Sequence, residues 1–229
     1  MNCLLCHRQL RDNWSLRFLL LPKKYQTKTV CEACLTTFRL IEPATCCPGC
    51  GRQQALKQVC GDCQKWQTHS SMAFSNVALF EYNAAMKQFM HAYKFQGDYR
   101  LRAAFNVQFS QFVQEQQNAA LLVALPIDEQ TWQTRGFNQV SGLLDGLALK
   151  APLLMNRSKS EKRQSQKSRW ERLETSNHFQ IDVEYPEQIK NKEILLIDDV
   201  YTTGRTLRHA AQTLLEAGCA TVRSVTLCR

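Results

Sequence analysis

Long hydrophobic runs are missing from this sequence. Phe18 to Leu21 is the most apolar early stretch, far short of the roughly 18 residues that a spanning helix needs. No basic leader followed by an apolar segment opens the chain, so the expected address is cytoplasmic. Glycine and proline are scarce, at 9 and 6, which excludes collagen-like and low-complexity classes. Neither G-x-x-x-x-G-K-[ST] nor G-x-G-x-x-G occurs, which removes two common glycine-rich nucleotide loops. Acidic residues are outnumbered, 20 against 29 Lys and Arg, leaving a net charge of +9. A field of that sign attracts nucleic acid or anionic ligands.

Cysteine is the one unusual abundance. Nine of the 11 cysteines lie in the first 63 residues, and in a cytosolic chain they are not expected to pair as disulfides. Cys3-x-x-Cys6, Cys31-x-x-Cys34, Cys47-x-x-Cys50 and Cys60-x-x-Cys63 repeat one spacing. Two intervening residues let a tight turn aim both sulfurs at one ion, and two such turns complete a tetrahedral site. Consecutive pairing puts Cys3, Cys6, Cys31 and Cys34 on one structural Zn²⁺ and Cys47, Cys50, Cys60 and Cys63 on a second. An interleaved pairing satisfies the spacing too, and Cys₄ sets also hold iron–sulfur clusters. Cys46 is left over as a spare thiol, and His7 reads as a surface residue. So short a stretch cannot bury a sufficient core, and metal binding would supply its folding free energy. The reading is a zinc-ribbon-like module over 1–68 and a larger domain over 74–229, joined by the polar stretch between Cys63 and Phe74.

Within the larger domain, Ile194 to Ile197 reads as a strand buried on both faces. Asp198 and Asp199 follow at its carboxyl end. Thr202, Thr203, Gly204, Arg205 and Thr206 then form a small-residue turn before a helix with Leu207, Ala210, Ala211, Leu214 and Leu215 on one face. Backbone amides at a helix start favour a phosphate, and Gly204 lets the chain approach it. The carboxylates suit ribose hydroxyls and, through them or water, Mg²⁺. Ile-Asp-Asp-Val-x-Thr-Thr-Gly-x-Thr resembles the 5-phosphoribosyl-1-diphosphate (PRPP) loop of type I phosphoribosyltransferases.

Earlier in that domain, Asn76 to Tyr82 predicts a strand and Ala85 to Tyr93 one helix face ending at Gly97. A second helix is predicted from about Tyr99 to Gln116, and Leu121 to Leu125 reads as a buried strand stopped by Pro126. Arg135-Gly136-Phe137-Asn138-Gln139 is read as opening a helix whose inner face is Val140, Leu143, Leu144 and Leu147. Arg135 at a helix start opposes the dipole, which points to an anion as its partner, against the alternative of a solvated side chain. Residues 157 to 172 hold seven basic and two acidic side chains with few apolar ones, so they are not expected to pack as core. They read as a solvated run, a lid, or a strand-binding surface on which Trp170 stacks a base.

Tyr93-Lys94-Phe95, Pro126, Arg-Gly-Phe-Asn-Gln, the double Cys₄ module and the final Leu-Cys-Arg together resemble the ComF (competence protein F/GntX-like) family across essentially the whole chain. The resemblance implies an α/β fold with a mainly parallel sheet flanked by helices. It implies a pyrophosphate-cradling loop near Ala124 to Asp128, including Pro126, and a flexible loop closing over PRPP, with Arg157, Gln164, Arg172 and Phe179 at the family's spacing. It also implies a role in DNA uptake, natural transformation or DNA utilisation, with single-stranded DNA and uptake-machinery proteins as partners. The alternative is an active transferase in which Asp198, Asp199 and Arg135 serve Mg²⁺-PRPP and an unidentified nucleobase or amine displaces pyrophosphate.

Overall fold

Short apolar segments rich in branched residues become the strands of the molecule. The computed structural model describes residues 1–10, 28–155 and 179–229. In chain order the strands are β1 (Asn76–Phe80), β2 (Leu121–Ala124), β3 (Leu149–Lys150), β4 (Leu153–Met155), β5 (Phe179–Ile181), β6 (Glu193–Val200) and β7 (Thr221–Cys228). The helices are α1 (Glu32–Leu35), α2 (Gly61–His69), α3 (Ala84–Phe95), α4 (Asn106–Gln117), α5 (Glu129–Arg135), α6 (Gln139–Gly142), α7 (Pro186–Ile189) and α8 (Arg205–Glu216). Five strands form a parallel sheet in the order β1-β7-β6-β2-β3. β4 and β5 pair separately and antiparallel, Met155 against Phe179, and so bracket residues 156–178. The calls on Arg157, Gln164, Trp170 and Arg172 lie outside the described residues.

β6 is central because it is apolar on both faces. Ile194, Leu195, Leu196 and Ile197 are wholly buried. Leu195 and Ile197 join Met86, Phe89 and Phe109 from α3 and α4, whereas Ile194 and Leu196 join Leu207, Ala210 and Leu214 from α8. Helices therefore cover both faces of the sheet, as parallel strands require. The chain leaves β2 toward β3 on one side and β6 toward β7 on the other. Between the carboxyl ends of β2 and β6 this reversal leaves the crevice where open α/β sheets bind ligands.

The amino-terminal module is seated on the sheet's β1 edge. Ile41 N–H donates to Leu79 O at 3.0 Å and Glu81 N–H to Arg39 O at 2.8 Å. Gly51 has φ 74°, and a Cβ there would press on the backbone of Asn76 and Ala78. Phe38 enters the aromatic core, 4.8 Å from Phe105 and 6.3 Å from both Phe80 and Phe89 by ring centroids.

Several expected elements differ. The polar stretch after Cys63 is not irregular throughout: the Cys60–Cys63 turn continues as α2 to His69. The helix expected from Tyr99 is a 3₁₀ segment over Tyr99–Ala104, then α4 after a break at Phe105. The strand of the acidic pair runs on to Val200, because Asp198 and Val200 still pair with Thr226 and Cys228 of β7. The helix expected after Arg135 is a single turn, α6, capped by the Asn138 side chain.

Candidate ribose-phosphate site and metal centres

The acidic pair owes its placement to strand alternation. Asp199 is 5% exposed and its Oδ1 accepts from Lys94 Nζ at 2.7 Å, which joins α3 to the carboxyl end of β6. Asp198 lies on the opposite side, partly exposed, and its Oδ1 accepts from the Asp199 N–H at 2.8 Å. Burial, and then the neighbouring Asp199 charge, push the Asp198 carboxyl up to about 7. Lys94 belongs to a motif quoted from the sequence, but nothing local marks it as the partner of a residue 105 positions away.

The loop after the pair folds tightly on Tyr201, so the close approach at Gly204 is that of the Tyr201 ring and not the phosphate contact the sequence suggests. Gly204 has φ 77° and caps α8. A Cβ there would strike the ring and hydroxyl of Tyr201, so the position admits only glycine without rearrangement. Thr202, Thr203 and Thr206 are exposed and Arg205 is half-buried. Among the described residues no side chain caps the 12-residue α8; Arg205 N–H reaches Thr203 Oγ1 at 3.4 Å. The first turn of α8 thus begins just beyond the carboxyl end of β6, where its amides and the helix dipole favour an anion. From the other side comes the segment after β2, tied to β6 by Leu125 N–H donating to Ile197 O at 2.9 Å. Pro126, partly exposed, stands in this segment, and Asp128 caps α5 through the Thr131 N–H.

Arg135 is not at a helix start. It ends α5, with Gly136 in the left-handed region at φ 74° as the cap. A cation there is favoured by the dipole, so the mismatch that pointed to an anion disappears. Its guanidinium lies 5.3 Å from the Phe95 ring centroid.

Two residues that sequence reasoning passed over hold the loop from behind. Trp66 of α2 donates its Nε1–H to Thr203 O at 3.0 Å. Arg229 donates from Nη1 to Thr202 O at 2.8 Å and to Tyr201 O at 3.3 Å. The only sequence signal for either was the final Leu-Cys-Arg, quoted without a role.

The cysteines gather as consecutive turns. Cys3, Cys6, Cys31 and Cys34 form one cluster and Cys47, Cys50, Cys60 and Cys63 another, each with sulfurs within 4.8 Å of one another. Sulfur separations of 3.7 Å (Cys6–Cys31), 3.8 Å (Cys47–Cys63) and 3.6 Å (Cys50–Cys60) match the about 3.8 Å edge of a tetrahedron with Zn–S bonds near 2.3 Å. A multi-iron cluster would spread its ligands over different metal atoms and hold them further apart. Amides already point at the sulfurs: Cys31 N–H to Cys3 Sγ and Cys60 N–H to Cys47 Sγ, both 3.3 Å. Against burial, such backbone bonds hold the Cys3 thiol down to about 6. The hydrogen bond from Cys63, with help from the Arg229 guanidinium and opposed by burial, holds Cys50 down to about 4. Both sets suit zinc, which binds thiolates. Cys46 donates to Pro43 O and belongs to neither cluster.

Among the described residues no helix is long and apolar enough to cross a membrane. The phosphoribosyl transferase domain model matches residues 133–229. The chain is 36% identical over 231 residues to Competence protein ComFC of Streptococcus pneumoniae, covering 100% of both. It is 36% identical over 235 residues to Competence protein ComFC of Bacillus subtilis, covering 99% of this chain and 94% of that one. With the DNA utilization protein YhgH of Salmonella typhimurium it shares 25% identity over 217 residues, 87% of this chain and 90% of the relative.

Proposed function

This chain belongs to the ComFC family of competence proteins, and from that premise we propose that it assists DNA uptake or utilisation in the cytosol through a domain that binds PRPP. The carrying observation is the crevice itself: two carboxylates, one braced by Lys94, stand beside an uncapped helix start at the reversal between β2 and β6. Asp198 and Asp199 take the ribose hydroxyls. The amides and hydroxyls of Thr202 to Thr206 take the 5-phosphate, and the segment from Pro126 to Asp128 takes the diphosphate. Mg²⁺ bound with PRPP would neutralise diphosphate charge; Asp198 is the better placed carboxylate toward it, because Lys94 already occupies Asp199 Oδ1. In this reading Arg135 keeps only its charge as an argument for an anion partner, because it ends α5 instead of opening a helix. The two Cys₄ centres are structural zinc sites. Residues 1–68 and the basic residues 157–172 supply the surface for single-stranded DNA, and uptake-machinery proteins are the further partners.

Calorimetric titration with PRPP, with and without Mg²⁺, tests the site. Saturable binding is expected, and no binding under either condition would overturn the reading. Pyrophosphate release on adding a nucleobase or amine would instead favour an active transferase. Single-strand affinity is expected to fall steeply with salt, because phosphate contacts release counterions; a flat dependence counts against the DNA role.

The site also carries a pH signature. A carboxyl raised above its unfolded value contributes stability at low pH that is lost as pH rises through about 7. Over the same interval Asp198 becomes a charged, stronger acceptor for hydroxyls. Asp198→Asn protein is therefore expected to bind PRPP much like the wild type near pH 6 and about tenfold more weakly near pH 8. Comparing the two proteins cancels titration of the ligand, and a gap constant with pH would contradict the assignment.

A further inference from the structure

The last residue of the sequence does more than close β7. Arg229 is tied by its backbone to the end of β1, its N–H donating to Phe80 O and its carbonyl accepting from Tyr82 N–H, both at 2.9 Å. Its side chain, 8% exposed, runs between the second cysteine cluster and the ribose-phosphate loop. Nη1 donates to the carbonyls of Tyr201 and Thr202. The guanidinium lies over the Tyr201 ring at 4.9 Å, and that ring is what a side chain at position 204 would strike. On the far side Nη2 stands 3.7 Å from Asp62 of α2, one residue before the ligand Cys63. Nε and Nη2 are buried without a hydrogen-bond partner among the described residues. An arginine buried this deeply leaves two N–H groups unsatisfied only at a substantial cost, unless an anion sits beside them.

Asp62 supplies one such charge, and the cysteine cluster beside it supplies a second. Four cysteine thiolates around one Zn²⁺ would make a dianionic centre, and the Nη2 contact with Asp62 sets the guanidinium against the turn that carries Cys60 and Cys63. Cys47, Cys50, Cys60 and Cys63 pack in the same core cluster as Tyr201 and Leu207, immediately behind the loop. We propose that Arg229 is a positioning residue that couples the second Cys₄ centre to the ribose-phosphate loop, balancing the charge of the metal thiolates on one side and fixing the Tyr201 and Thr202 carbonyls on the other. The metal centre then has a duty beyond folding its own module: it sets the shape of a ligand loop more than 130 residues away in sequence. This rests on the PRPP reading for its ligand, though not for the loop geometry.

The test uses full-length protein carrying Arg229→Ala or Arg229→Lys, with zinc content, PRPP affinity and amide hydrogen exchange measured on each. In Arg229→Ala, PRPP affinity is expected to fall about tenfold and exchange at Thr202 to Thr206 to quicken about tenfold, the loss of charge-assisted bonds. Exchange in Ile194 to Ile197 should not change, which a general loss of stability would not spare. Arg229→Lys keeps a charge but lacks the planar fork. It is expected to retain both zincs while the loop still exchanges faster than in the wild type, separating charge balance from carbonyl fixing. Wild-type exchange at the loop in an alanine variant with full zinc would overturn the proposal. Should the alanine variant lose zinc, the lysine variant decides, and unaltered loop exchange there overturns it equally. Wild-type protein that ignores PRPP would sink the ligand reading, leaving loop exchange to judge Arg229.

Discussion

Changing Asp198 to asparagine together with Asp199 to asparagine is expected to weaken PRPP binding by about 100-fold or more, with both zincs retained. Each carboxylate–hydroxyl bond to a charged acceptor contributes about 1.5 to 3 kcal/mol, and two of them reach that factor. The single substitutions should differ in kind. Asp198 has no cation among its described hydrogen-bond partners and its carboxyl is held up to about 7 by burial, so Asp198→Asn should raise thermal stability at pH values above the usual carboxylate range, most of all above about pH 7. Asp199→Asn instead strips Lys94 of a partner in a pair whose side chains are only 21% and 7% exposed, and is expected to cost about 2 kcal/mol. Adding Lys94→Met removes the orphaned charge and should restore the melting temperature without restoring affinity. Calorimetry and thermal unfolding on the four proteins read both effects. Stability and binding recovering together would mean that the carboxylate acts only as a structural counter-ion.

A comparably large effect is expected at the second cysteine cluster. Its four residues are all buried, and they join Leu207, Ala210 and Val222 in one core cluster. Structural zinc contributes about 10 to 16 kcal/mol to folding in small zinc modules, as much as the whole net stability of an ordinary domain. Cys50→Ser is therefore expected to lose one zinc and the cooperative unfolding of the phosphoribosyltransferase-like domain with it. In the first cluster Cys6, Cys31 and Cys34 are partly exposed, and Cys6→Ser should lose one zinc while that domain still melts cooperatively. Scanning calorimetry with metal analysis separates the two. Equal melting losses from both substitutions would show that the clusters contribute alike.

The pattern of what was legible follows from how far each signal reaches along the chain. Asp198 to Thr206 could be read because a buried strand, an acidic pair, a small-residue turn and an apolar helix face are all local. The paired turns were legible for the same reason, and geometry then chose consecutive over interleaved pairing. α5 went unread because none of its residues is buried, so it carries no apolar period. Gly136 was the available clue: a glycine after Arg135 marks a helix end more often than a beginning. Lys94, Trp66 and Arg229 were invisible as site residues because their partners lie 105, 137 and 27 positions away. Only the folded chain brings such pairs together.

Phe38 crosses from one part of the chain into the other. Its ring belongs to the metal-binding module by sequence, yet it meets Phe80, Phe89 and Phe105 inside the larger domain's core. A truncated protein starting at residue 74 would present an open aromatic socket to solvent, with the edge of β1 bare beside it. Such a fragment should self-associate rather than report on the phosphoribosyltransferase-like half in isolation. Dissection by point substitution, with the whole polypeptide intact, is the route this architecture permits.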